Sequence, residues 1–212
     1  MAALAAWASA AEPAGDPALL ERIAAAHRSV ATMSARFEQR TTNAAAPDEA
    51  PRVMQGHFEM AVPDRYNLVL TKTNDPDWRQ RFVCDGKRSA EIEQVAADMD
   101  ASVKVRDAAA GDADIRRIIS CARGDFPELA KDFAIRALPA EVPADGAVVI
   151  LVPANAEVAK ELDRVRIELG ADLRVRTLTL EQPSGTRIGI SVTAATYDAP
   201  IAPETFAIPE RD

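Results

Sequence analysis

Residues 55–87, QGHFEMAVPDRYNLVLTKTNDPDWRQRFVCDGK, carry the pattern of three antiparallel strands in succession. From Gly56 to Val62, His57 and Glu59 point outward while Phe58, Met60 and Val62 point inward, the period of two that gives a sheet one wet face and one apolar face. Pro63 and Asp64 break this strand. From Arg65 to Thr71, Tyr66, Leu68 and Leu70 fall on one side and Arg65 and Asn67 on the other, and Asn74-Asp75-Pro76-Asp77 is the turn that follows. The third strand runs to Cys84 and stops at Asp85-Gly86.

Upstream, Asp16-Pro17 supplies an N-cap and a first helical position, with Leu19, Ile23, Ala26 and Val30 on one helical stripe. His27 lies off that stripe, which gives it a solvated or capping role rather than chemistry. The period shifts to two from Met33, and residues 41–51 form a loop. Downstream, residues 88–95 and 102–106 continue as strands. The stretch 111–124 then places Ile115, Ile118, Ile119 and Ala122 on one face of a short helix that ends at Gly124. A helical turn at 125–129 follows, then strands at 133–138, 147–152, 163–169, 173–180 and 187–196, and a last strand segment at Phe206–Pro209. About ten amphipathic antiparallel strands, with one helix before them and a helical insertion among them, make a mainly β protein with helices (α+β). The economical burial is a strongly curved sheet or incomplete barrel whose helices cover the concave side. Without repeats or a low-complexity linker, residues 16–212 are expected to form one domain.

The 212 residues carry a net charge of −8 and a pI near 4.9, which argues against nucleic-acid binding and against lasting attachment to anionic lipid. No apolar run is long enough to span a bilayer, so no stable membrane insertion is expected. Residues 1–10 end in Ala8-Ser9-Ala10, the small-x-small pattern of a secretory signal; the other reading is a flexible alanine-rich tail. A signal remnant there makes the protein exported, periplasmic and soluble. Cys84 and Cys121 lack metal-ligand spacing, and they fit either a disulfide or two buried thiols. No nucleophile elbow, zinc-helix motif, phosphate loop or C-x-x-C is present, and with His27 and His57 as the two histidines the chain reads as a non-enzyme without cofactor or metal. Asp98 with Asp100, and Asp112 with Asp114, suit helix caps and solvated loops better than a calcium loop, whose ordered glycine and distal glutamate are missing.

Met33, Ala35, Phe37 and Gln39, then Gly56, Phe58, Met60 and Pro63, then Phe82, Val83 and Asp85-Gly86-Lys87, follow one another in an order and spacing that resembles the periplasmic outer-membrane lipoprotein carrier family, the LolA type; Phe206-Ala-Ile208-Pro209 resembles its closing motif. The chain resembles a divergent member. The resemblance implies a half-barrel with a hydrophobic cavity and a monomer that binds the acyl chains of lipoproteins. Such a carrier takes them from an inner-membrane release complex to an outer-membrane receptor. On this reading Phe37, Phe58, Met60, Tyr66, Leu68, Leu70 and Phe82 line the sheet, and Ile115, Ile118 and Ile119 form a lid; the competing reading makes all of them plain core. The family's basic residue before the strand-ending proline, tied to lid closure, is Val62 here, so Arg65 is the nearest candidate latch. Trp78 either sits at the cavity rim or caps one end of the core. Burying three long acyl chains at about 0.8 kcal/mol per methylene nominally exceeds the ceiling of roughly 20 kcal/mol on noncovalent affinity, so a carrier holds its cargo loosely under a lid that packs on the same residues when empty. Two other functions fit the same half-barrel: an envelope lipid- or glycolipid-binding or sensing module, and an interaction domain that binds no ligand.

Overall fold

The computed structural model describes residues 15–108, 113–140 and 146–209; the signal-like residues 1–10, and Gly111 and Asp112 of the expected insertion helix, lie outside them. A helix, α1 (Pro17–Arg28), is followed by β1 (Thr32–Asn43), β2 (Arg52–Ala61), β3 (Arg65–Lys72), β4 (Asp75–Asp85), β5 (Arg88–Gln94) and β6 (Ser102–Asp107). Two helices, α2 (Ala113–Arg123) and α3 (Phe126–Leu129), lead to β7 (Phe133–Pro139), β8 (Ala147–Pro153), β9 (Arg164–Leu169), β10 (Val175–Glu181) and β11 (Thr186–Tyr197). All eleven strands form one antiparallel sheet in the order β6-β5-β4-β3-β2-β1-β11-β10-β9-β8-β7. Two meanders meet where β1 pairs with β11, and the sheet stays open between β6 and β7. The segment holding α2 and α3 joins those two edges, so it crosses the mouth of an incomplete barrel.

Register explains which side chains face inward. Phe58 lies opposite Ala35 and Leu68, and Met60 opposite Met33 and Tyr66, so one face of β1–β3 is continuously apolar. Along β1 and β11 a bulge falls between Arg36 and Phe37, where Thr193 is the extra residue and its hydroxyl donates to Arg36 O (3.1 Å). Without that residue a slip of one would turn either Ala195 and Tyr197 or Ile190 and Val192 to the outside; with it, both pairs pack against the same core. The Asp85-Gly86-Lys87 turn is built by its own chemistry: Asp85 Oδ1 accepts from Lys87 N (2.8 Å) and Arg88 N (2.7 Å), while Gly86 takes φ +94. The Arg88 amide is the main influence holding the Asp85 carboxyl below its usual range.

Several boundaries differ from expectation. β1 extends to Asn43 and β2 begins at Arg52, so the loop between them is shorter than 41–51. Val62 is 41% exposed rather than inward, because β2 ends at Ala61 and the chain turns there. The β3–β4 turn is Thr73–Asn74, and Asp75, Pro76 and Asp77 already belong to β4. Residues 206–209 make no strand: Pro203–Phe206 is a short 3-10 helix whose Phe206 is buried. It lies on the outer face of the sheet, with Ile208 packing against Val83 and Ala90. On β5 the polarity of the two faces inverts, since Ala90 and Ile92 join that outer cluster while Glu91 and Glu93 take the inner side and accept from Gln80 Nε2 (3.1 Å) and Trp78 Nε1 (3.3 Å).

Helix α1 is capped by Asp16, whose Oδ1 accepts from Ala18 N (2.9 Å) and Leu19 N (3.2 Å); the Asp16 amide donates to Ala137 O (2.7 Å) and docks the helix on β7. Its buried side chains are Leu19, Ile23, Ala24 and His27, so His27 belongs to the buried stripe and Ala26 is only partly buried.

Candidate functional site

The apolar face of the sheet wraps around α2. Between them lies a cavity of about 370 Å³ whose walls come from β1–β4, β10, β11 and α2, with His27 of α1. Of the sheet residues expected to line it, Phe37, Phe58, Leu68, Leu70 and Phe82 do so, joined by Met33, Met54, Val192 and Tyr197; of the expected lid residues, Ile115 and Ile118 do. Met60, Tyr66 and Ile119 border a second, larger space of about 690 Å³ on the other side of the helix. That space is edged by Asp64, Arg117, Arg123, Asp125, Glu128 and Asp132, so the smaller cavity is the apolar one and the larger is a charged cleft. A third hollow of about 150 Å³ shares Gln39, Ile118, Cys121, Leu178 and Ile190 with the apolar cavity, so Ile118 is part of the partition between them. Gln39 enters the sequence reading only as a motif residue, Met54 falls between the expected loop and the strand expected from Gly56, and β10 and β11 reach the cavity only through the β1–β11 pairing.

Close packing around Gly56 shapes the cavity floor. Gly56 lies directly opposite Phe37, and a Cβ built on it would stand 2.0 Å from Phe37 Cζ; the distal end of the Phe37 ring therefore occupies the space a side chain at 56 would need. Trp78 is buried and closes one end of the β1–β4 core. Lys72 Nζ stands 4.3 Å from its ring centroid and Glu93 accepts its N–H.

Besides the packing of Ile115, Ile119 and Cys121, α2 is fastened by polar contacts. Arg117 lies 3.7 Å from Asp132 Oδ2 and 3.9 Å from Glu161 Oε2. Arg123 donates to Pro63 O and lies 3.7 Å from Asp64 Oδ1. Thus the arginine tied to the strand-ending proline comes from the helix. Arg65 instead stacks its guanidinium 5.2 Å from the Phe206 ring. At the end of α2, Gly124 takes φ +62 and presses on His27, whose Nε2 donates to Leu173 O (2.8 Å); α1, α2 and the β9–β10 turn meet there. Cys84 and Cys121 are two free buried thiols in different apolar clusters, not a bridge. Burial pushes the Cys121 thiol up to about 12 and raises Cys84 as well.

The outer face carries a polar ladder across β1–β4. Ser34 Oγ lies 3.2 Å from His57 Nε2, Asn67 Nδ2 donates to Glu59 (3.0 Å), and Arg81 Nε donates to Asn67 Oδ1 (2.7 Å). Arg81 Nη2 reaches the carbonyls of Thr205 (2.9 Å) and Ala207 (3.3 Å), strapping the C-terminal segment to the sheet; burial lowers its pKa from the usual value. Glu59 Oε1 lies 3.8 Å from the same His57 nitrogen that faces Ser34, so these three side chains do not make a Ser-His-acid relay. Among the described residues, no group of three or more His, Cys, Asp or Glu is placed to hold a metal. No described helix is long and apolar enough to cross a membrane.

No family model and no curated protein matches the chain. Several solved structures are similar to it. A DUF1329 family protein from Desulfovibrio piger matches at 9% identity over 90% of this chain and 95% of its own, with a TM-score of 0.49. The Mycobacterium tuberculosis lipoprotein LppX matches at 14% identity over 88% and 98%, with a TM-score of 0.48. A LolA superfamily protein from Nitrosomonas europaea matches at 11% identity over 92% and 99%, with a TM-score of 0.45.

Proposed function

We propose that this protein holds acyl chains in the cavity between the sheet and α2 and carries them, screened from water, through the periplasm. In its fullest form the reading is a monomeric lipoprotein carrier, loaded at an inner-membrane release complex and unloaded at an outer-membrane receptor. The observation that carries it is the 370 Å³ apolar hollow, walled by six strands, α2 and His27 of α1, which side chains do not fill. An α2 held by arginine contacts at its margins, over a core that Ile115 and Ile119 plug, suits a lid that lifts when acyl chains replace those isoleucines.

The cavity's size favours a second reading, a lipid-binding module for one chain. An apolar cavity of about 150 Å³ admits benzene, so 370 Å³ holds roughly fifteen carbons, one acyl chain rather than three. The deciding experiment adds the purified protein to spheroplasts and analyses its soluble complexes, alongside the lipid extract of the protein as isolated. Lipoproteins found in soluble complexes establish the carrier. A copurified single-chain lipid without lipoprotein release establishes the binding module. Absence of both, with no uptake of an apolar dye, would leave a dry interaction domain and sink the proposal.

A further inference from the structure

Arg174 sits between Leu173, whose carbonyl receives His27, and Val175; both His27 and Val175 line the apolar cavity. Its guanidinium lies 4.6 Å from the ring centroid of Tyr197, another wall of that cavity. Arg174 Nη1 is buried and meets no hydrogen-bond partner among the described residues. The adjacent carboxylate is occupied elsewhere: Asp172 Oδ1 accepts from the Arg174 main-chain N–H (3.1 Å), and Oδ2 pairs with Arg176 Nη2 (2.8 Å). Gly170 makes that pairing possible, since a Cβ there would lie 2.6 Å from Arg176 Nε and 2.9 Å from Asp172 Oδ1. The turn thus directs its acid to Arg176 and leaves Arg174 Nη1 without a partner among the described residues, on the ring of Tyr197 and next in sequence to Val175, two residues that line the cavity although Arg174 itself does not. Arg174 as a whole is half-buried, but a buried N–H without an acceptor is costly, and a guanidinium is shaped for a carboxylate or a phosphate.

We infer that the cavity takes a single-chain amphiphile whose anionic oxygens, of a carboxylate or a phosphate, bind the Arg174 guanidinium beside Tyr197 while the chain fills the space under α2. This rests on the acyl-chain reading of the cavity and adds the head group to it.

The test is displacement of a bound apolar dye by palmitate, palmitoyl lysophosphatidic acid and hexadecanol, which share a chain and differ in the head. The wild-type protein is expected to bind at least one of the anions about tenfold or more tightly than hexadecanol, the scale of one charge-assisted hydrogen bond. Which anion it prefers separates a fatty acid from a phospholipid source. Arg174→Met should bring the anions to the affinity of hexadecanol and leave hexadecanol itself unchanged, and Arg174→Lys should keep part of the preference. Equal binding of all three by the wild type, or a preference that survives Arg174→Met, overturns the assignment while leaving the cavity intact. Should Arg174→Met fail to fold, the wild-type ranking and Arg174→Lys decide alone. If neither dye nor amphiphile enters the wild-type protein, the cavity reading falls with it.

Discussion

Replacing Gly56 by alanine puts a methyl group where the Phe37 ring now lies. The added Cβ would stand 2.0, 2.2 and 2.5 Å from three ring atoms, and ordinary contact begins at 3.4 Å, so the ring has to retreat by about 1.4 Å. The partner strand β11 lies on the other side of β1, which leaves the cavity as the direction of retreat. Overpacking of this kind costs about 1–3 kcal/mol. At roughly 2–4 °C per kcal/mol for a chain of this size, Tm should fall by about 2–12 °C. The sign is diagnostic, because glycine in a strand interior is otherwise about 0.5–1 kcal/mol worse than alanine. Thermal unfolding by circular dichroism should be measured for Gly56→Ala, Phe37→Leu and the double variant, with uptake of an apolar dye by each. Gly56→Ala should melt lower and take up less dye, and its cost should shrink or reverse on the Phe37→Leu background. A Gly56→Ala protein that melts at or above the wild-type temperature on the Phe37 background would refute the account of how these two residues shape the cavity floor.

Ile118→Asp places a charge on the partition between two apolar hollows and should abolish dye and acyl-chain uptake while the strand signal in circular dichroism persists; loss of that signal would make Ile118 plain core. Arg123→Ala removes the contacts of α2 to Pro63 O and Asp64, which are partly solvated, so stability should change by less than about 1 kcal/mol while dye uptake becomes faster; an unchanged uptake rate would show that this contact does not hold the lid. Between about pH 9 and 12 the unfolded chain loses the Cys121 proton while the folded protein keeps it, so stability falls as pH rises through that window, by up to about 1.4 kcal/mol per unit. Chemical denaturation of Cys121→Ala should show a shallower alkaline decline than the wild type, and equal slopes would contradict the burial of this thiol.

The period of two made β2 and β3 legible because their outer faces meet water and their inner faces meet the core, and Phe58, Met60, Tyr66 and Leu68 are buried as that alternation demands. It failed where a strand is apolar on the other side. Residues 88–95 pattern poorly because Ala90 and Ile92 are covered from outside by the C-terminal segment, while Glu91 and Glu93 face in. His27 was misplaced because its partner, the Leu173 carbonyl, is remote in sequence, and a histidine on a helix does not announce a distant acceptor. Arg65 was paired with the lid through nearness to Pro63, yet odd-numbered residues of β3 face outward and Phe206 lies on that side. The bulge at Thr193 carries no local signal: Ile188, Ile190 and Val192 alternate correctly, and only the β1 partner shows that Ala195 and Tyr197 are inward too.

The pairing of β1 with β11 also sets an order of events. Each of the two meanders can form from neighbouring hairpins, but β1 cannot find its second neighbour until residues 186–197 exist and arrive, nearly the whole chain later. Contacts between such distant parts of a sequence are slow to form because the intervening chain must be closed into a loop first. A chain emerging from its N-terminus therefore displays β1 as an open edge for most of its synthesis, with β2 already paired beside it. A truncation before residue 186 would leave both β1 and β10 with unsatisfied backbone edges, the form of this sequence most apt to pair with another copy of itself.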